Sequence, residues 1–114
     1  MLPKIKQASI EVNTPEVIFG DALEFSLSIL SDSVNDQALM IDYIIHHRKA
    51  NGKTTPKVFK WRVKTLEAHR SLISTKRHVI KKISTRVYYP GIHTVEAMVN
   101  GVSVGSADFN LLMP

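Results

Sequence analysis

Apolar and polar residues alternate at every second position through much of this 114-residue chain. In the segment ALEFSLSIL, the four apolar residues between Leu23 and Ile29 share one face, and a glutamate and two serines share the other. Successive side chains of a β-strand point to opposite faces of its sheet, so this pattern predicts a strand with one buried face. No segment repeats its apolar residues convincingly at helical spacing. The chain is therefore predicted to fold from strands alone.

Turn signals divide the sequence into about seven short strands, a pattern typical of a β-sandwich or barrel. Asn100-Gly101 is a preferred pair for a two-residue turn and predicts a hairpin, with Gly105 marking a bulge or bend beyond it. The segment 71–87 fits one bent strand or two short strands, and its sheet is left open. The length suits one domain, residues 1–114. The densest apolar run, ALMIDYII, is too short to cross a membrane.

Positive charge is concentrated in one part of the sequence. Residues 48–86 hold 13 of the 15 Lys and Arg residues and one acid, Glu67, whereas the remaining residues hold two lysines and nine acids. These two parts carry net charges of +12 and −7. A separation this large predicts an attractive field for polyanions on one side of the molecule.

The basic segment HHRKANGKTTPKVFKWRVK, residues 46–64, fits two interpretations. In one, its lysines form a solvated strand face that discourages pairing between the edges of two sheets. In the other, cations from this segment and from residues 76–82 form a surface that contacts phosphates. The candidate residues are Arg48, Lys49, Lys53, Lys57, Lys60, Arg62, Lys64, Lys76, Arg77, Lys81 and Lys82. The strongest candidate site is the hairpin from Arg48 to Lys64, with Lys76 and Arg77 from a neighbouring strand.

Alternation within KVFKWRVK orients the side chains of this hairpin. It predicts one face with Phe59, Trp61 and Val63, and an opposite face with Val58, Lys60, Arg62 and Lys64. The aromatic side chains are therefore expected in the core, and not stacked on unpaired bases. Cations that displace counterions from phosphates give an affinity that falls steeply with salt. Because no base-reading helix is predicted, sequence specificity is not expected.

Other residue types give weak signals for a site. The five histidines lack ligand spacing, and the adjacent His46 and His47 face opposite sides of a strand. His93 is expected to be packed and hydrogen-bonded. The absence of cysteine excludes a disulfide framework, a thiolate metal site and a Cys nucleophile. No nucleophile-elbow or phosphate-loop motif occurs, so we predict no metal, no cofactor and no catalysis.

Two further expectations concern single residues. Tyr88 or Tyr89, before Pro90-Gly91, is expected to pin a corner of the sandwich through its hydroxyl. The acids Asp42 and Glu67 lie within or next to the basic half of the sequence. They are expected to act as ion-pair partners, and not as acid–base catalysts.

The runs LMIDYIIHHRKANGKTTPKVFKWR and STKRHVIKKISTRVYYPGIHTVEAMVNG carry a family resemblance, which spans residues 39–101. The sequence resembles the C-terminal immunoglobulin-like domain of some bacterial DNA alkylation repair proteins, where this domain follows a helical-repeat domain that handles alkylated bases. The resemblance implies an immunoglobulin-like antiparallel β-sandwich in the bacterial cytoplasm, beside DNA. It implies no catalytic residues, because the base-handling residues of that family lie on the helical repeats.

Two functions are consistent with these features. The first is a non-catalytic accessory domain associated with DNA alkylation repair, which gives nonspecific electrostatic affinity for DNA or docks on a helical-repeat domain of its parent protein. The second is a protein-interaction or structural module with no nucleic-acid role. Exposed strands, or a surface with Met40, Ile44 and Met98, would then contact a partner. Neither function involves a membrane.

Overall fold

The computed structural model describes residues 4–49, 51, 53–81 and 88–113, which form eight strands and no helix. The strands are β1 Ile5–Val12, β2 Glu16–Ile18, β3 Ala22–Ser31, β4 Gln37–Arg48, β5 Thr54–Leu66, β6 Ser71–Val79, β7 Gly91–Val99 and β8 Val102–Leu112. The prediction of an all-β chain is confirmed. Within the described residues, nothing has the length and apolarity of a membrane-crossing helix.

The strands form two facing sheets, as expected for an immunoglobulin-like sandwich. The small sheet has the order β1-β3-β6, and the large sheet has the order β2-β8-β7-β4-β5. Neighbouring strands are antiparallel except β2 and β8, which are parallel. Strands β5 and β6 therefore form sheet edges. They face each other on the same side of the sandwich, where Arg62 of β5 donates a hydrogen bond to Ser74 of β6.

The core lies between the sheets and follows the predicted alternation. Every second residue of β3 and β4 is buried, and Phe25 and Tyr43 meet edge to face with 5.1 Å between ring centroids. Trp61 contacts both rings, and Phe59 stacks on Tyr43 at 5.1 Å. The expectation that Phe59 and Trp61 belong to the core is confirmed.

The hairpin predicted at Asn100-Gly101 joins β7 to β8. Both turn residues have positive φ, 50° for Asn100 and 80° for Gly101, as a type I′ turn requires. Beyond the turn, Ala97 pairs with Gly105 while Met98 pairs with Ser103, so β8 has one extra residue at Val104. The bulge predicted beside Gly105 is confirmed.

A second bulge, in β5, corrects the predicted orientation of the basic hairpin. Ile41 pairs with Arg62 and Asp42 pairs with Lys60, which leaves Trp61 as an extra residue opposite β4. A bulge of this kind reverses the face on which later residues of the strand lie. Val63 is consequently 74% exposed, and its predicted place beside Phe59 and Trp61 is wrong.

The same bulge moves two cations. Arg62 and Lys64 pair with Ile41 and Leu39, which are buried between the sheets, so both cations lie on the inner side of β5. Lys60 pairs with Asp42 and lies on the outer side. The expectation that Lys60, Arg62 and Lys64 share one solvated face is therefore wrong.

The structure answers part of the question of how the segment 71–87 folds. Residues 71–79 form the single strand β6, which pairs along its whole length with β3 in the small sheet. Its apolar residues do not alternate because the strand lies at an edge, where its inner face is only partly covered. Residues 82–87, which include the candidate Lys82, lie outside the described residues.

Candidate nucleic-acid interface

The open side of the sandwich, between the edge strands β5 and β6, brings cations from both strands together. Side chains that point inward from these edges reach solvent, because no further strand covers them. On β5 these side chains include Lys57, Arg62 and Lys64, which pair with inward-facing residues of β4. On β6 the corresponding cation is Lys76, which pairs with the buried Phe25. We call Lys57, Arg62, Lys64 and Lys76 the basic seam.

The charges of the basic seam are not neutralised by neighbouring acids. Among the described residues, Arg70 pairs with Glu67 and His46 shares a hydrogen bond with Glu96, and neither contact includes a seam residue. Lys57, Arg62 and Lys64 are exposed, and Lys76 is half-buried. Arg62 Nη1 donates to Ser74 Oγ at 3.0 Å, which holds this guanidinium across the gap between the two sheets.

Two predicted contacts lie on outer faces, away from the seam. Lys60 lies on the outer face of the large sheet, opposite Asp42. Arg77 lies on the outer face of the small sheet, opposite Glu24. These cations flank the seam on its two sides but do not join it.

The remaining predicted contacts lie at the tip of the β4–β5 hairpin. Lys49 and Lys53 are exposed there, and the Lys49 N–H donates to the Lys53 carbonyl at 2.7 Å. The half-buried Arg48 side chain lies over β7, where a Cβ added to Gly91 would be 2.9 Å from Arg48 Cδ. Arg48 is thereby held against the large sheet, and the two lysines are the free cations of the hairpin tip within the described chain.

The outer face of the large sheet has the opposite electrostatic character. It presents Asp42, Glu96 and Asp108 on three neighbouring strands, and Lys60 at its edge. Among the described residues Asp42 belongs to no ion pair and its Oδ1 is buried without a hydrogen-bond partner, so the expected ion pair is not found in that part of the chain. Glu67 does pair, with Arg70 at 3.8 Å. The seam is therefore the cationic side of the described structure, and this face is mainly acidic.

A cleft of about 200 Å³ opens at the end of the seam and brings together residues that the sequence did not assign to one site. Its lining consists of His47, Lys57, Phe59, His78, Val79, Lys81 and Tyr88. The side chains of Phe59 and His78 meet at 4.6 Å between ring centroids. The sequence does contain one signal for this site. Phe59 lies two residues from Lys57 on β5, and His78 lies two residues from Lys76 on β6, so each ring shares a face of its strand with a seam cation.

The corner before β7 contains Tyr88 and Tyr89. Within the described part of the chain neither hydroxyl makes a hydrogen bond, and residues 82–87 just before them lie outside it, so the expected hydroxyl contact stays a prediction. The Tyr88 ring packs on Phe19 and His47, at 5.2 and 5.5 Å. His93 also holds this corner, because its Nε2 lies 2.9 Å from the Tyr89 carbonyl.

The expectation that His93 is packed and hydrogen-bonded is confirmed, and His46 and His47 do face opposite sides of β4. The Arg48 N–H donates to His93 Nδ1 at 3.2 Å, so the proton of the neutral ring lies on Nε2 and is donated to Tyr89. Burial, opposed by the Tyr89 hydrogen bond and reinforced by Arg48, lowers the pKa of His93. No three His, Asp or Glu side chains of the described residues are grouped to hold a metal ion.

His78 connects the cleft to the core. Its Nδ1 lies 2.8 Å from the Tyr43 hydroxyl, and burial raises the pKa of Tyr43 to about 12. Burial, with a smaller contribution from the charge of Lys76, lowers the pKa of His78 to about 4. At neutral pH the His78 ring is therefore uncharged.

The low pKa of His78 predicts a loss of stability in acid. Between about pH 6.5 and pH 4 the unfolded chain binds a proton that folded His78 does not, so the free energy of unfolding falls as the pH falls through this range. His93 acts in the same direction. Urea denaturation followed by Trp61 fluorescence at several pH values measures this slope.

The matched variants for this experiment are His78→Gln and His69→Asn. Glutamine retains a hydrogen-bonding group for Tyr43 but does not titrate, so His78→Gln should flatten the slope. His69 is exposed and has a φ of 56°, which asparagine tolerates, so its replacement should leave the slope unchanged. A wild-type stability that is constant from pH 7 to pH 4.5 would contradict the burial of a neutral His78.

Comparison with known proteins identifies relatives of this sandwich. A family model described as "Uncharacterised protein YhaZ, C-terminal Ig-like domain" matches residues 6–113. The uncharacterized protein YhaZ of Bacillus subtilis (strain 168) is 36% identical over 95 residues, which cover 83% of this chain and 26% of YhaZ. The chain thus spans about a quarter of the length of this curated relative. The family match confirms the resemblance to a C-terminal immunoglobulin-like domain.

Solved structures add two kinds of similarity. The alkylpurine DNA glycosylase AlkC of Pseudomonas fluorescens, bound to DNA containing an abasic site analog, has a TM-score of 0.83 and 31% identity. The match covers 95% of this chain and 30% of AlkC. A β-glucosidase of Erythrobacter marinus has a TM-score of 0.76 but 11% identity, over 91% of this chain and 15% of the enzyme. This second similarity shows the fold alone.

Proposed function

This chain belongs to the family of C-terminal immunoglobulin-like domains of YhaZ proteins, and from that membership we propose that it is a non-catalytic accessory domain associated with DNA alkylation repair. Its contribution is nonspecific electrostatic affinity for DNA, and catalysis lies in another part of the parent protein. The similarity to the glycosylase AlkC, at 31% identity, supports the repair association. The proposal sets the domain in the bacterial cytoplasm, beside DNA.

The observation that carries the DNA proposal is the basic seam. Four cations from two edge strands lie along one open side of the sandwich, and no described carboxylate pairs with them. In the alternative interpretation, the lysines only prevent the edges of two sheets from pairing. A few lysines on one edge strand would be enough for that role, and it would not require cations on both edge strands on either side of the gap between the sheets.

The dimensions of the seam suit a nucleic-acid backbone. Seven residue steps separate Lys57 from Lys64, which at about 3.3 Å per residue is roughly 20 Å. A duplex rises about 3.4 Å per base pair along its axis, so the length of the seam corresponds to roughly six base pairs of a duplex aligned with it. Contacts to phosphates alone fix the position of the backbone without reading bases. The proposed affinity is therefore independent of sequence.

Salt-dependent titration of a labelled DNA duplex tests the proposal. Four phosphate contacts give a slope of log affinity against log salt of about −3.6, measured between about 50 and 200 mM salt. The double variant Lys57→Glu, Lys64→Glu should reduce the magnitude of this slope by about 2. It should also weaken binding at about 100 mM salt by roughly tenfold to a hundredfold.

A second double variant, Lys4→Glu, Lys6→Glu, controls for net charge. Lys4 and Lys6 lie at the start of the small sheet, whose β1 edge is separated from β6 by β3. Both double variants lower the formal net charge from +5 to +1. Equal losses of affinity in the two variants would show that net charge, and not the seam, attracts DNA. Absence of binding by the wild-type domain at low salt would remove the DNA proposal altogether.

A second candidate function is protein interaction through the outer face of β4 and β5. Met40 and Val63 pair across these strands and are 50% and 74% exposed, and Val58 on the same face is 59% exposed. Ile44 and Met98 are half-buried beside them. Such a cluster suits contact with a partner, for which the helical-repeat domain implied by the sequence resemblance is the candidate. This function remains if the DNA titration shows no binding.

A further inference from the structure

We propose that the cleft at the end of the basic seam binds a single unpaired nucleotide, with its base against Phe59 and Tyr88 and its phosphate on Lys57 and Lys81. This inference rests on the proposed DNA function, which it deepens: the seam holds the backbone, and the cleft accepts a base that has left the helix. The ligand class is a planar nucleobase that carries an adjacent phosphate.

The floor of the cleft is aromatic, and its His78 ring is uncharged at neutral pH. Phe59, His78 and Tyr88 are half-buried, and each is braced by another ring. Phe59 stacks on Tyr43, with ring centroids 5.1 Å apart and planes 15° apart, and Tyr88 meets Phe19 at 5.2 Å. Rings held in this way offer a surface to a base without losing conformational freedom when it binds. Bases of any sequence stack on such surfaces, because every base has a π-face.

The rim of the cleft is cationic. Lys57 reaches it from β5 and Lys81 from the segment that follows β6, and both are exposed. No carboxylate is among the described residues that line the cleft. An aromatic floor beneath two ammonium groups matches a nucleotide better than it matches a small anion or an apolar metabolite. A small anion would find no charge on the floor, and an apolar molecule would leave the lysines unused.

The size of the cleft restricts what enters it. At about 200 Å³ it is smaller than the roughly 300–1,000 Å³ typical of pockets for drug-sized ligands. A single base fits this scale, whereas a stacked base pair does not. Lys57 belongs both to the seam and to the cleft, so a backbone that follows the seam brings its next nucleotide to the rim.

Three labelled duplexes that share the same flanking sequence and differ at a single position test this inference. One contains a single bulged thymidine, the second contains an abasic residue in the bulge, and the third is fully paired. The bulged base should bind at least about fivefold more tightly than the abasic bulge, because stacking distinguishes them while their phosphates are the same. Phe59→Leu should abolish this preference but keep the salt slope.

A second variant, a folding assay and a crosslinking experiment keep the inference testable if Phe59→Leu fails to fold. Tyr88→Leu removes the second ring at a half-buried position, and thermal melting reports whether each variant is folded. Photocrosslinking of a bulged 5-iodouridine to the wild-type domain, mapped by mass spectrometry, needs no variant. Crosslinks to Phe59 or Tyr88 support the inference, and crosslinks confined to other residues overturn it.

The outcomes separate this inference from the function on which it rests. If the bulged base and the abasic bulge bind with equal affinity and a steep salt dependence, the cleft does not bind a base, although the seam still binds DNA. If none of the three duplexes binds, neither the cleft nor the seam is a DNA-binding site. In a further arm, deoxyadenosine monophosphate is titrated alone. Binding that Phe59→Leu removes would support the cleft as a nucleotide site and identify the free nucleotide as its source.

Discussion

Replacement of Phe25 by alanine should destabilise this domain by about 3–5 kcal/mol, a large part of the roughly 5–15 kcal/mol typical of a folded domain. Phe25 is completely buried and lies between the two sheets. Its ring meets Tyr43 at 5.1 Å and Trp61 at 5.2 Å, both edge to face. Alanine removes these contacts and leaves a cavity that the two flanking rings cannot fill without leaving their own partners.

Thermal and urea denaturation followed by Trp61 fluorescence measure this effect. The expected loss corresponds to a fall in Tm of roughly 12–30 °C for a domain of this size. Ile73→Ala is the matched control, because Ile73 lies on the neighbouring β6 but is 71% exposed, and it should change stability by less than about 0.5 kcal/mol. A loss below about 1 kcal/mol for Phe25→Ala would mean that the aromatic cluster is not the centre of the core.

Replacement of His93 by leucine should lower the free energy of unfolding by about 2–5 kcal/mol. This loss is expected although leucine has a similar size and is more apolar. His93 is 1% exposed, accepts a hydrogen bond from the Arg48 N–H and donates one to the Tyr89 carbonyl. Leucine leaves both backbone groups without these partners, and an unsatisfied buried polar group costs about 1–3 kcal/mol. The change therefore separates hydrogen bonding from burial as the source of stability at this corner.

His46→Leu is the matched control for this prediction. His46 lies on the outer face of the same sheet and pairs with Glu96 at 2.9 Å, where both side chains are partly exposed. A partly exposed contact of this kind contributes about 1 kcal/mol or less, so this variant should be close to wild type in urea denaturation. If His93→Leu were as stable as wild type, the two hydrogen bonds would have no net role in stability.

The sequence was sufficient to predict most of the sandwich because alternation is a local signal. Strands β3 and β4 alternate without interruption, and the Asn100-Gly101 turn has the predicted backbone conformation. The bulge at Trp61 was not predicted, since it depends on how β5 aligns with β4. One signal was available. The half-buried Phe59 and Trp61 occupy odd-numbered positions of β5, whereas the buried Leu66 occupies an even-numbered one, so a strict alternation cannot place all three on the inner face.

The candidate site could be predicted in composition but not in arrangement. Charge counting identified the segments that carry the cations, and β5 and β6 do lie side by side at the open edge. Assignment of each cation to a face required the register of both strands. The bulge moved Arg62 and Lys64 inward, and pairing with β3 placed Lys76 inward and Arg77 outward. The cleft was missed because its rings come from two different sheets and from the residues before β7, whose relative placement depends on the tertiary fold.

The bulge in β5 also has a consequence for self-association of the protein. An uninterrupted edge strand offers a straight row of amide and carbonyl groups to a second molecule, and such edges promote fibril growth. In β5 the extra residue, Trp61, interrupts the row of backbone groups near its middle. The lysine and arginine side chains on either side of it repel the same strand of an approaching copy. Removal of those charges with neutral residues would therefore risk aggregation at high concentration, whereas their reversal to glutamate would preserve colloidal stability.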